Sequence, residues 1–192
     1  MEHVSIKKLD NSIKTVERAA EIFVDAYFDD LKDISDNKEL LISIFARSLI
    51  ISHFYGAFID GNMIGIFALS DEKERSIKLD KKQIIKRLGF IKGTIVYTIM
   101  KKELEGKIQL NKPGVYIEAV ATDPISQGKG IATMMMQYVI NNFNHCELDV
   151  IDINTSAIRV YTKLGFQVYK EEKAKKNQKY SKKIYMQYDK NV

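Results

Sequence analysis

The chain has 192 residues, 45% of them hydrophobic and 29% charged, an ordinary globular balance whose core needs neither disulfides nor a structural metal. Its single cysteine, Cys146, excludes an intrachain disulfide and suits a reducing compartment. The net charge of +5 is unevenly placed: residues 73–112 hold twelve Lys or Arg against four acids, residues 173–183 hold six Lys and no acid, and residues 25–39 are acidic.

A basic surface of this kind can bind a polyanion, although solvated helix faces and a hairpin tip give the same counts. Residues Met1 to Lys8 lack the long apolar run of a signal peptide. The most apolar windows, such as 49–59, are interrupted by Ser52 and His53 and are too short to span a bilayer. A soluble, cytoplasmic protein with no membrane partner is expected.

Residues 3–9 alternate loosely and read as a short first strand. Asn11 or Ser12 offers an N-cap, because a short polar side chain can accept from the free N–H groups of a first helical turn. Val16, Ala19, Ala20, Phe23, Ala26 and Tyr27 then keep the three-four spacing of one buried helix face. A second helix is expected over about 37–50. Residues 52–70 read as a β-hairpin around Asp60-Gly61, a pair suited to a type I′ turn. Residues 71–112 form a charged helical segment. Asp80 and Gln83 resemble a capping box there, and Ile84, Leu88, Ile91, Ile95 and Ile99 keep helical spacing. Gly89 and Gly93 leave one helix or two open. No second core pattern is visible in this segment, so it reads as an insertion.

Val115 to Thr122 reads as a buried strand, ended by Asp123-Pro124. A helix from about Gly128 to Asn142 would bury Ile131, Met134, Met135, Tyr138 and Val139. Cys146 to Ile151 is the next strand. Asn154 caps a helix that Gly165 ends. Residues 166–170 and 183–188 are final strands joined by a Lys-rich loop. The order β-α-α-β-β-(αα)-β-α-β-α-β-β makes this a mixed α/β chain, a mixed sheet flanked by helices. Residues 1–192 are expected to form a single domain that carries the insertion at about 71–112.

The most informative segment is Gln127-Gly128-Lys129-Gly130-Ile131-Ala132, between a strand and an amphipathic helix. Glycines let the backbone approach a ligand, and the first N–H groups of a helix have no internal partners and favour negative charge. Such a turn suits pyrophosphate. A Walker loop would need Ser or Thr after Gly-Lys, and a dinucleotide fingerprint would need glycine at Thr133, so both fit worse.

With Gln127, Gly130 and Ala132 in place, the loop resembles the phosphate loop of the GCN5-related N-acetyltransferase (GNAT) superfamily. The preceding strand, Tyr116 to Pro124, is similar too. About 27 residues further on, Asn154, Ala157, Tyr161, Gly165 and Phe166 match the family's Asn-x-x-Ala-x-x-x-Tyr-x-x-x-Gly-Phe ending. The likeness is clear over roughly 115–170. Thr122 departs from it, since many relatives have valine there.

The resemblance implies a GNAT fold, a central, mostly antiparallel twisted sheet with the helical insertion before its fourth strand. It implies an acetyl-CoA-dependent N-acetyltransferase acting by direct attack of a primary amine, with acetyl-CoA as cosubstrate and no metal. The pantetheine arm would lie along residues 118–122, with the Val120 N–H on the thioester carbonyl and Thr122 beside it. Gln127, Gly128, Lys129, Gly130, Ile131, Ala132 and Thr133 would hold the pyrophosphate. Asn154, Ala157 and Tyr161 would contact the CoA arm, and Tyr161 would protonate the sulfur. A lysine-type amine is protonated at neutral pH and needs a base. Glu118 is the candidate: strand alternation would put it on the face of Val120 and Thr122. The plainer reading of Glu118 is a carboxylate paired with a nearby cation, as that of Tyr161 is helix packing and that of Asn154 an N-cap.

Cys146 opens a buried strand without an adjacent base and reads as core. His3, His53 and His145 lack metal-ligand spacing. The acidic cluster at 25–39 would draw in a cationic amine such as a polyamine, an aminoglycoside or a basic peptide. The expected partner is therefore a small-molecule or peptide amine. Nucleic acid is not expected, because the basic insertion lacks a reading motif. A homodimer stays open. The rival reading is a non-catalytic acyl-CoA-binding regulatory module on the same fold.

Overall fold

One sheet runs through the computed structural model, which describes residues 3–175 and 178–190. Its strands are β1 (Ser5–Lys8), β2 (Phe54–Ile59), β3 (Asn62–Ser70), β4 (Val115–Thr122), β5 (His145–Ile151), β6 (Gln167–Lys173) and β7 (Lys182–Asp189), in the order β1-β2-β3-β4-β5-β7-β6. The β4–β5 pair is parallel and the other pairs are antiparallel. The Lys-rich loop expected between the last two strands includes residues 176 and 177, which lie outside the described residues.

Helix α1 (Ile13–Ala26) begins where Ser12 accepts the Thr15 N–H, as its short hydroxyl allows. After a single-turn helix, α2 (Phe28–Leu31), Asn37 caps α3 (Lys38–Phe45) in the same manner. This third helix stops five residues short of the expected end. The chain tightens through Arg47 to Ile44 and Ser48 to Phe45 hydrogen bonds, and Leu49 then bridges to Ile77. The hairpin turn has positive φ at both Asp60 and Gly61, as its sequence requires.

The insertion forms two helices, α4 (Lys81–Leu88) and α5 (Phe90–Leu104), separated at Gly89. Asp80 accepts the Gln83 N–H at the start of α4. Gly93 does not break α5. A Cβ there would sit 2.7 Å from the Ile85 Cα, so the glycine lets the two helices touch. Ile77, Leu79, Ile84 and Met100 are buried in the main core, so the insertion is part of the packing. Ile91, Ile95 and Ile99 face solvent instead of the core, because Gly93 and Met100 occupy the inner face of α5.

Two apolar clusters hold the sheet. One joins α1, α3 and the insertion to one face. The other joins α6 (Ile131–Asn142), β5 and β7 to the opposite face, with α7 (Thr155–Lys163) behind. The sixth helix begins at Ile131 and not at Gly128, since Gly128 and Gly130 both have positive φ. It buries Ile131, Met135, Met136, Val139 and Ile140, while Met134 is 40% exposed and Tyr138 half-buried.

The contact at Gly93 gives a stability prediction. Gly93→Ala should push α4 from α5 and cost about 1–3 kcal/mol, the usual range for overpacking. Urea unfolding measures it, and an unchanged midpoint would show that the helix pair tolerates separation.

Candidate functional site

The parallel pairing of β4 with β5 covers three positions, Val115 with Cys146, Tyr116 with Glu147 and Ile117 with Leu148. From Glu118 to Thr122 the β4 edge has left β5. On its other side, the register with β3 passes from Ala68–Glu118 to Ile66–Ala121, so Ala119 and Val120 stand opposite Phe67 alone. Two residues against one is a β-bulge, which re-aims the strand. Ala119 carries it with φ 55, a left-handed conformation that costs a non-glycine residue roughly 1 kcal/mol.

The bulge corrects the expected placement of Glu118. Ile117 and Val120 pack on the α6 side, whereas Ala119, Ala121 and Ala68, the partner of Glu118, pack on the α1 side. Glu118 and Val120 therefore face opposite ways. Strict alternation would have put them together, and the extra residue breaks the period of two.

At the far end of the open edge, Gly130 begins α6 in the left-handed region and makes no side-chain cap. Gln127, Gly128, Lys129 and Gly130 are exposed, Ile131 is buried, and Ala132 and Thr133 are half-buried. The first N–H groups of α6 thus lack a side-chain partner, a setting that favours an anion. The turn before the loop is held by Arg18 on α1, a residue that no motif marks. Its guanidinium pairs with Asp123 and donates to the Met63 carbonyl at 3.2 Å. Asp123 in turn accepts the Ile125 N–H.

The Asn-to-Phe motif folds into a capped helix. Asn154 accepts the Ala157 N–H at 3.1 Å and starts α7. At the other end Gly165 takes φ 94, with hydrogen bonds from Gly165 to Thr162 and from Phe166 to Tyr161. These two bonds make a Schellman motif, which brings Phe166 back onto Tyr161 with ring centres 5.8 Å apart. The motif therefore fixes the Tyr161 ring. Burial and the charge of Asp149 push its pKa up to about 12.

Glu118 is heavily engaged. Oε2 accepts from Arg75 at 2.6 and 3.0 Å, and Oε1 accepts from the Ser70 hydroxyl and from the Ser76 N–H and hydroxyl. Burial works to raise its pKa, but Arg75, Ser70 and Ser76 outweigh it and hold the carboxyl below its ordinary value. Arg75 also donates to the Gly106 carbonyl at 2.7 Å, tying the two ends of the insertion together.

The remaining polar groups gather where β4 and β5 part. Tyr27, at the end of α1, donates to the Val120 carbonyl at 3.2 Å. Burial raises its pKa, reinforced by Tyr161, Asp149 and Glu118. Asp149 on β5 accepts from the Tyr116 hydroxyl and lies 3.2 Å from the Lys183 Nζ, which also meets Glu103 of α5 at 2.9 Å. Tyr27 was expected as core, and Asp149 carried no signal at all. An isolated aspartate in a strand becomes visible only when its neighbours are known.

Other candidates are placed elsewhere. Cys146 is buried, and burial pushes its thiol up to about 12, so it is no nucleophile. His145 contacts Asp189 and Glu147, each at 2.8 Å, and Glu147 also accepts the Asn111 N–H and the Tyr169 hydroxyl. That buried network fastens the end of the insertion to the sheet. In the acidic cluster, Asp25 pairs with Lys38, Asp29 with Lys32 and Asp33 with Lys179, so much of its charge is already met.

The model of the Acetyltransferase (GNAT) family matches residues 16–166. Among curated proteins, none matches the sequence. Similar solved structures include an N-acetyltransferase from Staphylococcus aureus Mu50, 16% identical, with a TM-score of 0.68 over 96% of this chain and 100% of that one. The ribosomal-protein-S18-alanine N-acetyltransferase from Escherichia coli is 13% identical, with a TM-score of 0.56 over 97% of this chain and 94% of that one. The yncA protein from Salmonella typhimurium, solved with its cofactor acetyl-CoA, is 13% identical, with a TM-score of 0.57 over 97% and 94%. At such identities the likeness is one of fold.

The Glu118 network makes a pH prediction. A carboxyl whose folded pKa is depressed adds stability above its unfolded value and loses it as pH falls through the folded value. Arg75→Ala should cost roughly 3 kcal/mol at neutral pH by stranding the carboxylate. Glu118→Gln should flatten the acid limb of stability below the ordinary value of 4.5. Urea titrations across pH measure both, and parallel curves for wild type and Glu118→Gln would count against the pairing.

Proposed function

Because the chain belongs to the Acetyltransferase (GNAT) family, we propose that it transfers an acetyl group from acetyl-CoA to a primary amine of a small molecule or peptide. The observation that carries this reading is the open β4 edge from Glu118 to Thr122 beside the uncapped start of α6. When bound, acetyl-CoA supplies an activated thioester. An unpaired strand edge offers backbone donors and acceptors at strand spacing, which suits the amides of the pantetheine arm. The N–H groups over 128–133 suit the pyrophosphate, with Gln127 and Lys129 at the rim. The Asn154 amide and the small Ala157 at the start of α7 suit the rest of the arm.

The Val120 N–H is the donor we assign to the thioester oxygen. A preorganised donor of that kind is worth about 3 kcal/mol in other oxyanion sites. Tyr27 steadies the same peptide through the Val120 carbonyl. Tyr161 stays protonated across neutral pH, since its pKa is pushed up to about 12. It is then a weaker acid than an ordinary thiol near 8.5. Tyr161 therefore supports the departing sulfur as a hydrogen-bond donor, and the proton shed by the acceptor nitrogen completes the balance.

Of the two carboxylates, Glu118 is 12% exposed and filled by donors, which suits an anchor for Arg75 and the insertion better than a base. Asp149 is 28% exposed and stands closer to solvent. We assign to it the proton of the acceptor ammonium. Asp149 meets the Tyr116 hydroxyl, and Glu103 shares Lys183 with it, so two carboxylates and a phenol stand together here. That lining favours a cationic amine such as a polyamine, an aminoglycoside or a basic peptide. The acceptor named for the Escherichia coli neighbour is a ribosomal-protein alanine.

The test is thiol release from acetyl-CoA against polyamines, aminoglycosides, amino acids, glucosamine phosphate and short peptides. A cationic amine should turn over. Asp149→Asn should lower kcat by about 100-fold or more, and Tyr161→Phe should lower it too, while acetyl-CoA binding stays near wild type. Glu118→Gln should cost less activity than Asp149→Asn, and the reverse order would return the base role to Glu118. Tight acetyl-CoA binding without turnover across the panel would favour a non-catalytic binding module.

A further inference from the structure

The corner and outer face of the insertion expose four large apolar side chains. Phe90 and Ile91 are each 76% exposed, Ile95 is 55% and Ile99 is 66%. At 100° per residue, Ile91, Ile95 and Ile99 form one stripe along α5, and Lys102 falls within it. Lys92 and Lys101 border the stripe on either side. Lys82, Lys86 and Arg87 stand on the adjoining α4. From residue 81 to residue 102 the chain has seven Lys or Arg and no acid. Among the described residues, none of the seven forms an ion pair.

We propose that the α4–α5 hairpin docks on an anionic lipid surface, with Phe90, Ile91, Ile95 and Ile99 entering the headgroup boundary and the flanking cations meeting lipid phosphates. Charge selects this occupant. None of the seven cations has an anionic partner among the described residues, although Lys81 and Lys101 lie over the Tyr97 ring, and the negative surface potential of an anionic leaflet attracts such a basic segment. A second copy of the same face would set seven cations against seven. Nucleic acid would meet the cations but would leave the aliphatic stripe in water. Shape agrees, since the Gly89 corner has open space around it and the stripe is convex, so a lipid boundary can take it without a groove. Among the described residues no helix is long and apolar enough to cross a membrane, so the contact is a peripheral one. The proposal does not depend on the acetyl-transfer reading.

The experiment is flotation of the full chain with vesicles of phosphatidylcholine alone and of phosphatidylcholine carrying roughly one third phosphatidylglycerol. Binding is expected on the anionic vesicles, to be absent on neutral ones, and to fall as salt screens the charges. The double variant Ile95→Ser/Ile99→Ser should weaken it at least about tenfold, since it removes two apolar side chains from the stripe that the lipid would bury. Lys82→Gln/Lys86→Gln/Lys92→Gln should weaken it likewise. Circular dichroism and acetyl-CoA binding should stay as in wild type, because none of these side chains lies in the core or the cleft. No binding to anionic vesicles would overturn the proposal. So would equal binding by wild type and the isoleucine variant, or a dimer in sedimentation velocity that the isoleucine variant dissolves.

Discussion

Three pairs of residues join β4 to β5, and the separation that follows governs everything around the site. Had the parallel ladder continued, the β4 edge would be closed and no strand-like ligand could add to it. The bulge at Ala119 works with this separation. It turns β4 away from its partner, and the backbone absorbs a left-handed residue to do so. Strain of this kind persists only where neighbours over-determine the conformation. Here Tyr27 holds the Val120 carbonyl within the bulge, and Arg18 holds Asp123 three residues beyond it.

The insertion is more than an ornament on this frame. Through Arg75 it grips Glu118, through Glu103 it reaches Lys183, and through Asn111 it meets the buried Glu147. Its inner face supplies core residues, and its outer face carries the exposed stripe. One segment thus contributes to the core, to the ion pairs around Glu118 and Lys183 and to the surface.

The electrostatic pattern explains how two nearby carboxylates come to differ. Glu118 receives a guanidinium, two hydroxyls and a backbone N–H, so its charge is well supported and its proton affinity low. Asp149 shares Lys183 with Glu103 and keeps partial access to solvent. In the proposed reaction the first orders the wall and the second handles a proton. The aromatic groups around them, Tyr27, Tyr116 and Tyr161, all keep their protons, because burial disfavours the phenolate.

Much of this was legible in the residues alone. The β4 boundaries, the hairpin turn at Asp60-Gly61, the Ser12, Asp80 and Asn154 caps and the glycine-rich loop all rest on local rules, where a side chain answers to neighbours a few positions away. The spaced Asn-to-Phe motif was readable for the same reason, since a capped helix closed by a Schellman turn is a local object. Only the folded chain decided that Glu118 turns away from Val120, that Arg75 and not a substrate meets it, that Asp149 stands beside Tyr116, and that Ile91, Ile95 and Ile99 look outward. Each depends on partners tens of residues distant, or on one extra residue in a strand. Periodicity can say that one face of a segment is apolar, but which face finds a core is settled by what the rest of the chain brings against it.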